Sequence, residues 1–283
     1  MTLAHSLSYG AAKLRRHRCQ DSEPAREAEL LLSLASGLPR EMFFAHPERK
    51  LPAAARKKFA DLIRRRSRHE PLAHLTGSAW FYGREFAVSP ATLIPRPATE
   101  AIVETAIAEA RRIGADIVID VGTGSGCIAV SLAAALPKIR VVATDISSAA
   151  LRQARKNAAR HGVAGRIDFK KSDLLGSPAA SLKKSRAVIV ANLPYVPTAL
   201  MRRLAPDIRR FEPRTALDGG KDGLDFYRKL IVQAAGLRGA LICEILPNQY
   251  RSLAAFAKKN IPGCETGKVL NLAGVTVGIV LRR

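Results

Sequence analysis

The chain has 283 residues, of which 47% are hydrophobic and 5% aromatic, and it carries a formal net charge of +22. This length suffices for one sizeable domain and a smaller one, with a core built mainly from aliphatic side chains. No run of 18 apolar residues is present, and no cleavage site follows a long apolar N-terminal segment. The sequence thus predicts neither a transmembrane helix nor a signal peptide, and we expect a cytoplasmic protein without a membrane partner.

The positive charge does not by itself indicate a nucleic-acid-binding surface. Residues 1–90 have a net charge of +7 and the other 193 residues have +15, so the excess is spread along the chain. Only residues 64–68 and the pairs Arg202–Arg203 and Arg209–Arg210 form local clusters, whereas a nucleic-acid footprint is concentrated on one element. Direct contact with nucleic acid is left open, and the function favoured below does not require it.

The cysteines and histidines predict no metal site and no disulfide framework. The four cysteines are far apart and form no C-x-x-C pair, and the six histidines show no H-E-x-x-H spacing. We expect free thiols at Cys19, Cys127, Cys243 and Cys264, as in a reducing compartment.

The apolar pattern between about residues 24 and 70 is helical. One helix is predicted to end at Gly37 and Pro39, and a second spans about residues 52–69, with a basic face that we expect to be solvated. The periodic apolar positions are Ala28, Leu31, Leu32 and Ala35 in the first helix, and Ala55, Phe59, Leu62 and Ile63 in the second. Residues 1–76 are predicted to form a small helical domain.

Between about residues 72 and 95 the pattern changes to aromatic and β-branched residues. Turn signals at Tyr82-Gly83 and Ser89-Pro90 predict a β-hairpin, and we place this hairpin linker at residues 77–97.

From residue 98 to residue 283 strands and helices alternate, which predicts an α/β fold with a Rossmann-like, mainly parallel sheet. The predicted strands are 117–121, 140–145, 166–170, 187–191, 240–245 and 275–281, and the clearest helices are 126–136 and 148–160. The short connection Asn271–Gly274 before the last strand predicts an antiparallel pair at the C-terminal end of the sheet.

A glycine-rich segment, Asp120-Val-Gly-Thr-Gly-Ser-Gly126, follows an apolar strand and opens a helix. Glycines allow a tight turn and close approach to a ligand, and the helix N-terminus offers amide groups. The cofactor-binding residues predicted here are Gly122, Thr123, Gly124, Ser125 and Gly126. Asp145 ends the next strand, where a carboxylate can accept hydrogen bonds from both ribose hydroxyls.

The spacing of these glycines favours S-adenosylmethionine over NAD. Dinucleotide sites use G-x-G-x-x-G to accommodate a pyrophosphate, whereas this segment has G-x-G-x-G. Asp120, two positions before the first glycine, would repel a pyrophosphate but accept a hydrogen bond from the ammonium of a methionine moiety. Asp173, followed by Leu174 after the third strand, is predicted as a further contact near the adenine.

The segment Asn192-Leu193-Pro194-Tyr195 follows the fourth predicted strand and predicts the acceptor site. Carboxyl ends of central strands form the ligand crevice of such sheets, so Asn192 is expected beside both cofactor and substrate. Its side-chain oxygen and a neighbouring backbone carbonyl can accept from one NH2 group, and the Tyr195 ring can stack on a planar amide. Asn192 and Tyr195 are the predicted catalytic residues, and all four are predicted to bind substrate.

With these motifs in place, the chain resembles the glutamine methyltransferases of peptide-chain release factors, nearly from end to end. The matching segments are Pro71–Gly77, Leu93–Glu100, Asp120–Cys127, Arg210–Leu217 and Gly220–Leu224. The resemblance implies methyl transfer from S-adenosylmethionine to the side-chain amide nitrogen of the glutamine in the Gly-Gly-Gln motif of a release factor. It also implies that the N-terminal helical domain recognises this protein substrate.

One departure keeps alternatives open. The family has Asn-Pro-Pro-Tyr, and the resemblance implies a role for the backbone carbonyl at position 193, which Leu193 retains with a less stiff loop. Asn-Leu-Pro-Tyr also resembles the motif of adenine dimethyltransferases that act on ribosomal RNA. N6-adenine methylation of RNA or DNA is therefore an alternative. Glutamine methylation of a large-subunit ribosomal protein, whose branch of the family the segment Ala79–Phe81 resembles, is a second, and a non-catalytic RNA-binding or assembly role on the same scaffold is a third.

Overall fold

The computed structural model describes residues 1–17, 23–176, 185–236 and 238–283. The chain divides into two compact units, Met1–Ser78 with Arg203–Glu212, and Ala79–Arg202 with Pro213–Arg283. The sequence did not indicate that a segment from beyond residue 200 joins the N-terminal unit. The domain boundaries expected at residues 76 and 97 stay a prediction.

The helices and strands alternate along the chain after a helical start. The helices are α1 Leu3–Arg15, α2 Pro24–Ser36, α3 Glu41–Ala45, α4 Ala53–Arg66, α5 Leu72–Thr76, α6 Ala98–Ile113, α7 Cys127–Ala135, α8 Ser148–Arg160, α9 Pro206–Phe211, α10 Asp225–Gln233 and α11 Tyr250–Asn260. The strands are β1 Ser78–Phe81, β2 Arg84–Ala87, β3 Ile117–Val121, β4 Arg140–Asp145, β5 Ile167–Lys171, β6 Arg186–Ala191, β7 Arg238–Glu244, β8 Glu265–Leu270 and β9 Thr276–Arg282. Within the described ranges, no helix is long and apolar enough to cross a membrane.

The two predicted N-terminal helices are confirmed as α2 and α4, whose apolar faces enter one core. Gly37 ends α2 in a left-handed conformation, with a φ of 71°, as its glycine predicted. The basic face of α4 is not wholly solvated, because Arg66 is buried and pairs with Glu27 at 2.7 Å. Buried charges require such a partner, and the sequence spacing does not show it.

Two further sequence expectations are corrected or completed. Leu72–Thr76 is helical, so the change of pattern comes after residue 76, and β1 and β2 pair within the segment 77–97 where the hairpin was expected. The three cysteines in the described part of the chain, Cys127, Cys243 and Cys264, are buried free thiols, and Cys19 lies outside the described residues.

The large sheet has seven strands in the order β5-β4-β3-β6-β7-β9-β8. In this order, neighbouring strands from β5 as far as β7 are parallel. Strand β9 runs antiparallel to both β7 and β8. The predicted Rossmann-like sheet with an antiparallel C-terminal pair is confirmed. The sequence missed β8, whose weak pattern includes Val269 as its one buried residue.

The carboxyl ends of β3, β4 and β6 lie at one edge of the sheet. Val121 is in register with Thr144 on one side and with Ala191 on the other. The chain leaves β3 toward β4 on one side and later returns to β6 on the other side, which creates a switch point where such sheets bind ligands. Apolar clusters cover both faces, so the sheet is rigid beneath this edge.

Candidate active site

A cavity of about 290 Å³ opens at this edge of the sheet. It brings together eight predicted site residues: Gly122, Gly124, Asp145, Asp173, Leu174, Asn192, Leu193 and Pro194. It does not include four others, Thr123, Ser125, Gly126 and Tyr195, in its lining. The volume is near the lower end of ligand pockets, about 300–1,000 Å³.

The glycine loop, residues 122–126, depends on glycine at three positions. Gly122, Gly124 and Gly126 have φ angles of 74°, 54° and 82°, a region that other residues rarely adopt. A Cβ at Gly126 would lie 2.9 Å from Ala154 Cα of the neighbouring helix. The loop therefore approaches α8 and the cavity closely, and a larger residue would displace it.

Asp145 connects the glycine loop to the start of α8. Its Oδ2 accepts from the backbone N–H of Gly124 at 2.9 Å, and its Oδ1 accepts from the N–H of Ser147 at 2.8 Å. Each carboxylate oxygen has a further lone pair. Because Asp145 lines the cavity, those lone pairs can accept hydroxyl groups of a ligand.

Asp120 holds the glycine loop from the protein interior. It is fully buried, and its Oδ2 accepts from Thr123 Oγ1 at 2.6 Å and from the N–H of Ala129 at 3.0 Å. Burial raises the pKa of Asp120 to about 7, although the two hydrogen bonds oppose the shift. Asp120 does not line the cavity, so its expected contact with an ammonium group stays a prediction.

Asp173 and Leu174 form the wall that follows β5. Leu174 has a positive φ of 53°, which is uncommon for leucine, and its carbonyl accepts from Thr144 Oγ1 at 3.0 Å. This bond fixes the turn at which both residues line the cavity.

The NLPY loop, residues 192–195, forms the opposite wall. Asn192 Nδ2 donates to Thr99 Oγ1 at 3.1 Å, and the N–H of Leu193 donates to Tyr227 Oη at 3.1 Å. The Leu193 side chain is buried, and a Cβ at Gly122 would lie 2.8 Å from its Cδ2. Leu193 therefore packs against the glycine loop as well as belonging to the NLPY loop.

Tyr195 points to the protein interior and not to the cavity. Its hydroxyl donates to Glu244 Oε1 at 3.0 Å, and its backbone carbonyl accepts from Gln249 Nε2 at 2.8 Å. The predicted stacking of its ring on a substrate amide stays a prediction. Glu244 itself is buried, and burial raises its pKa, against the opposing hydrogen bonds and the charge of Arg96.

Sequence reasoning missed several residues that build the site. Thr99, Tyr227, Glu244 and Gln249 hold the NLPY loop, and Thr92, Pro213 and Phe226 line the cavity. Glu244 could have been predicted as a site residue, because it ends β7 at the same edge of the sheet as the other strand ends. The remaining contacts join segments far apart in the chain, which no local pattern shows.

Comparisons with known proteins agree with this architecture. Residues 5–77 match the family model of the PrmC N-terminal domain, and residues 118–211 match that of a methyltransferase domain. The hMettl16 catalytic domain, solved in complex with MAT2A 3'UTR hairpin 1, aligns with a TM-score of 0.53 at 16% identity, covering 98% of this chain and 90% of that chain. At that identity the likeness concerns the fold alone.

Sequence relatives are closer. A release factor glutamine methyltransferase of Moorella thermoacetica is 42% identical over 261 residues, which are 91% of this chain and 90% of that protein. One of Geobacter sulfurreducens is 44% identical over 260 residues, 89% and 88% of the two chains. This chain is therefore a methyltransferase and belongs to the release factor glutamine methyltransferase family.

Proposed function

We propose that the protein transfers a methyl group from S-adenosylmethionine to the side-chain amide nitrogen of the glutamine in the Gly-Gly-Gln motif of a peptide-chain release factor. The observation that carries the proposal is the position of Asn192. This residue lines the same cavity as Gly122 and Asp145, and its Nδ2 is held by Thr99. The Asn192 amide therefore has its Oδ1 to offer to an NH2 group.

The donor side of the cavity fits S-adenosylmethionine. Asp145 offers free lone pairs at the end of β4, where ribose hydroxyls bind in such sheets. Gly122 and Gly124 allow close approach, and Asp173 and Leu174 extend the wall for an adenine. When bound, S-adenosylmethionine supplies a methyl group with the electrophilic character of its sulfonium.

The acceptor side solves the main difficulty of the reaction, which is the poor nucleophilicity of an amide nitrogen. Asn192 Oδ1 and the Leu193 carbonyl can each accept one N–H of the glutamine amide, which favours a nitrogen with its lone pair directed at the methyl carbon. The Tyr227 hydroxyl contacts both Leu193 O, at 3.3 Å, and Glu244 O. A hydroxyl has one hydrogen, and the contact with Glu244 O is the shorter, so Leu193 O keeps its acceptor capacity.

Rate acceleration in this proposal comes from orientation and from hydrogen bonds that strengthen as charge develops. The N-terminal helical unit would recognise the protein substrate, and a translation substrate would place the enzyme in the cytoplasm. Support for both statements comes from the relatives, which are named for the release factor, and from the N-terminal domain model that matches residues 5–77.

The decisive experiment offers three acceptors side by side, with labelled S-adenosylmethionine as the donor. They are a purified release factor, a large-subunit ribosomal protein and ribosomal RNA. We expect label on the release factor, and none on a release factor whose Gly-Gly-Gln glutamine is changed to alanine. Label on the ribosomal protein or on RNA alone would overturn the substrate assignment. Label on RNA would make Leu193 the residue that separates this chain from the release-factor enzymes.

A further inference from the structure

One buried hydroxyl in the cavity lining has no hydrogen-bond partner within the protein. Thr92 is 2% exposed and lines the cavity, yet its Oγ1 forms no hydrogen bond with any residue that the structure describes. A buried hydroxyl without a partner costs the full loss of its hydration, so native proteins seldom keep one without a reason. The proposed reaction gives no role to Thr92, and a ligand of the cavity would supply the missing partner.

The other side-chain hydroxyls in the described lining differ from Thr92. Ser147 and Ser172 are half-buried and Thr215 is exposed, so water can reach all three. Ser147 Oγ also accepts from the N–H of Ala150 at 3.2 Å, at the start of α8. Thr92 therefore carries the hydroxyl in this lining that depends on a ligand for a hydrogen bond.

Thr92 lies on a chain segment that is fixed at both ends, at Ala87 and at Thr99. At the first end, Asn157 Nδ2 donates to Ala87 O at 2.9 Å and to the serine carbonyl of the glycine loop at 2.8 Å. At the other end, Thr99 Oγ1 accepts from Asn192 Nδ2 at 3.1 Å. The segment thus runs from the glycine loop to the acceptor site, and Thr92 lines the cavity between them.

This position corresponds to the methionine end of the proposed donor. The proposed ribose contact is Asp145, and the wall for the adenine is formed by Asp173 and Leu174. The methyl group of the donor must reach the acceptor at Asn192. The methionine moiety would therefore lie between Asp145 and Asn192, along the segment that carries Thr92.

The carboxylate of a methionine moiety needs hydrogen-bond donors, and this cavity offers it no cation. Within the described residues the lining contains no lysine, arginine or histidine, and its charged members are Asp145 and Asp173. A neutral donor must then serve, and a hydroxyl has one hydrogen to donate. A hydrogen bond to an ionised group is stronger than one between neutral groups, so a carboxylate is a favourable partner for Thr92.

We propose that Thr92 is a cofactor-binding residue whose hydroxyl donates a hydrogen bond to the carboxylate of S-adenosylmethionine. This inference rests on the proposed use of that donor. Threonine carries its hydroxyl and its methyl group on one Cβ, so a rotation about χ1 directs the hydroxyl into the cavity while the backbone stays in place. The backbone is held by the N–H of Thr92, which donates to Ser89 O at 3.2 Å.

The test measures, by calorimetry, the binding of S-adenosylmethionine and of decarboxylated S-adenosylmethionine, which lacks the carboxylate. Thr92→Val removes the hydroxyl and Thr92→Ser keeps it. The matched control is Thr105→Val, because Thr105 lies outside the cavity lining and its hydroxyl donates to Ala101 O of its own helix at 2.8 Å.

We expect Thr92→Val to weaken the binding of S-adenosylmethionine by about 10- to 100-fold, since a charged partner loses its hydrogen bond. The same variant should bind the decarboxylated compound as tightly as the wild type does. Thr92→Ser and Thr105→Val should keep near wild-type affinity for both compounds. An equal loss for both compounds in Thr92→Val would mean that the residue shapes the cavity without contacting the carboxylate, and would overturn the inference.

Thermal unfolding of the protein without ligand is a second readout. Thr92→Val removes a buried hydroxyl that has no partner, so its Tm should be higher than that of the wild type. A lower Tm would show that the hydroxyl has a structural partner within the protein, and this result too would overturn the inference.

Two further outcomes separate this inference from the proposed function. Unchanged binding of S-adenosylmethionine in Thr92→Val, with a raised KM for the release factor, would assign the hydroxyl to the acceptor. The inference would then be wrong, and the proposed function would stand. Failure of the wild-type protein to bind S-adenosylmethionine would overturn the proposed donor, and the role of Thr92 with it.

Discussion

The cavity has a donor wall, formed by the glycine loop with Asp145, Asp173 and Leu174, and an acceptor wall, formed by the NLPY loop. The two walls are held by hydrogen bonds that span different distances along the chain. On the donor wall, Asp145 bonds Ser147 two residues away and Gly124 21 residues away, and Thr144 bonds Leu174 30 residues away. On the acceptor wall, Asn192 bonds Thr99, 93 residues away, and Tyr195 bonds Glu244, 49 residues away. The contacts of the donor wall thus lie within one continuous stretch of the chain, whereas the acceptor wall needs partners from distant segments of the assembled sheet.

The largest expected effect comes from removing the acceptor group itself. Asn192→Ala should lower kcat by about 10²–10³-fold, the range found when one stabilising hydrogen-bonding group is removed from an active site. Cofactor affinity should be nearly unchanged, because Asp145 and the glycine loop make no hydrogen bond to Asn192 among the described residues. Steady-state kinetics with labelled donor, together with calorimetry, measure both. Near wild-type turnover would contradict the proposed mechanism.

Asp145→Ala tests the donor wall alone. Loss of a charged hydrogen-bond acceptor should weaken S-adenosylmethionine binding by about 10- to 100-fold, since such bonds contribute about 1.5–3 kcal/mol. The change also frees the N–H groups of Gly124 and Ser147, so the glycine loop should lose order. Calorimetric titration measures the affinity, and Asp168→Ala on the exposed edge of β5 is a matched control. An unchanged Kd in Asp145→Ala would refute the ribose assignment.

These two walls also explain what the sequence alone could predict. The bounds of β3 and β4 were predicted correctly because central parallel strands are continuous apolar runs ended by glycine or aspartate. Asp145 followed from its place at a strand end. Strand β8 was missed because its pattern is mostly exposed, with Val269 buried.

The acceptor wall was predicted only in part. Asn192 follows a strand directly, so its place at the cavity could be inferred from the order of strands. Thr99 and Gln249 could not, because one is at the start of α6 and the other after β7, and only folding brings them to the loop. The predicted stacking of the Tyr195 ring on the substrate stays a prediction, and the hydrogen bond of its hydroxyl to Glu244 was not foreseen. The sequence does not show which way a tyrosine side chain points, because that depends on the hydrogen-bond partner of its hydroxyl.

Asp120, beneath the glycine loop, should make the stability of the protein depend on pH. Asp120 has a folded-state pKa of about 7 against an ordinary value of 3.8, so the folded state holds a proton that the unfolded state has lost between these values. Its contribution to stability is therefore fully present below about pH 4 and declines as the pH rises to about 7. Relaxation around a buried carboxyl limits the loss to about 1–2 kcal/mol.

Asp120→Asn checks this expectation, because the amide oxygen can still accept from Thr123 and Ala129 but does not titrate. Denaturant unfolding of both proteins at pH 4, 5.5, 7 and 8 gives the comparison. The stability of wild type relative to the variant should decline from pH 4 to pH 7 and then stay constant. A difference that does not vary with pH would mean that Asp120 is ionised throughout this range.

The smallest expected effect concerns Leu193, which contacts both walls. Restoring the family's proline with Leu193→Pro should stiffen the loop, but it removes the N–H that donates to Tyr227 Oη and a side chain that is 4% exposed. We expect a net loss of about 1 kcal/mol in the free energy of unfolding, since a buried acceptor loses its partner. Thermal unfolding measures it, with Leu193→Met as the control that keeps the N–H and most of the volume. A stabilised Leu193→Pro protein would show that loop stiffness outweighs the Tyr227 bond. In that case the stiffness of the loop backbone, and not the packing of Leu193 against Gly122, would hold the two walls together.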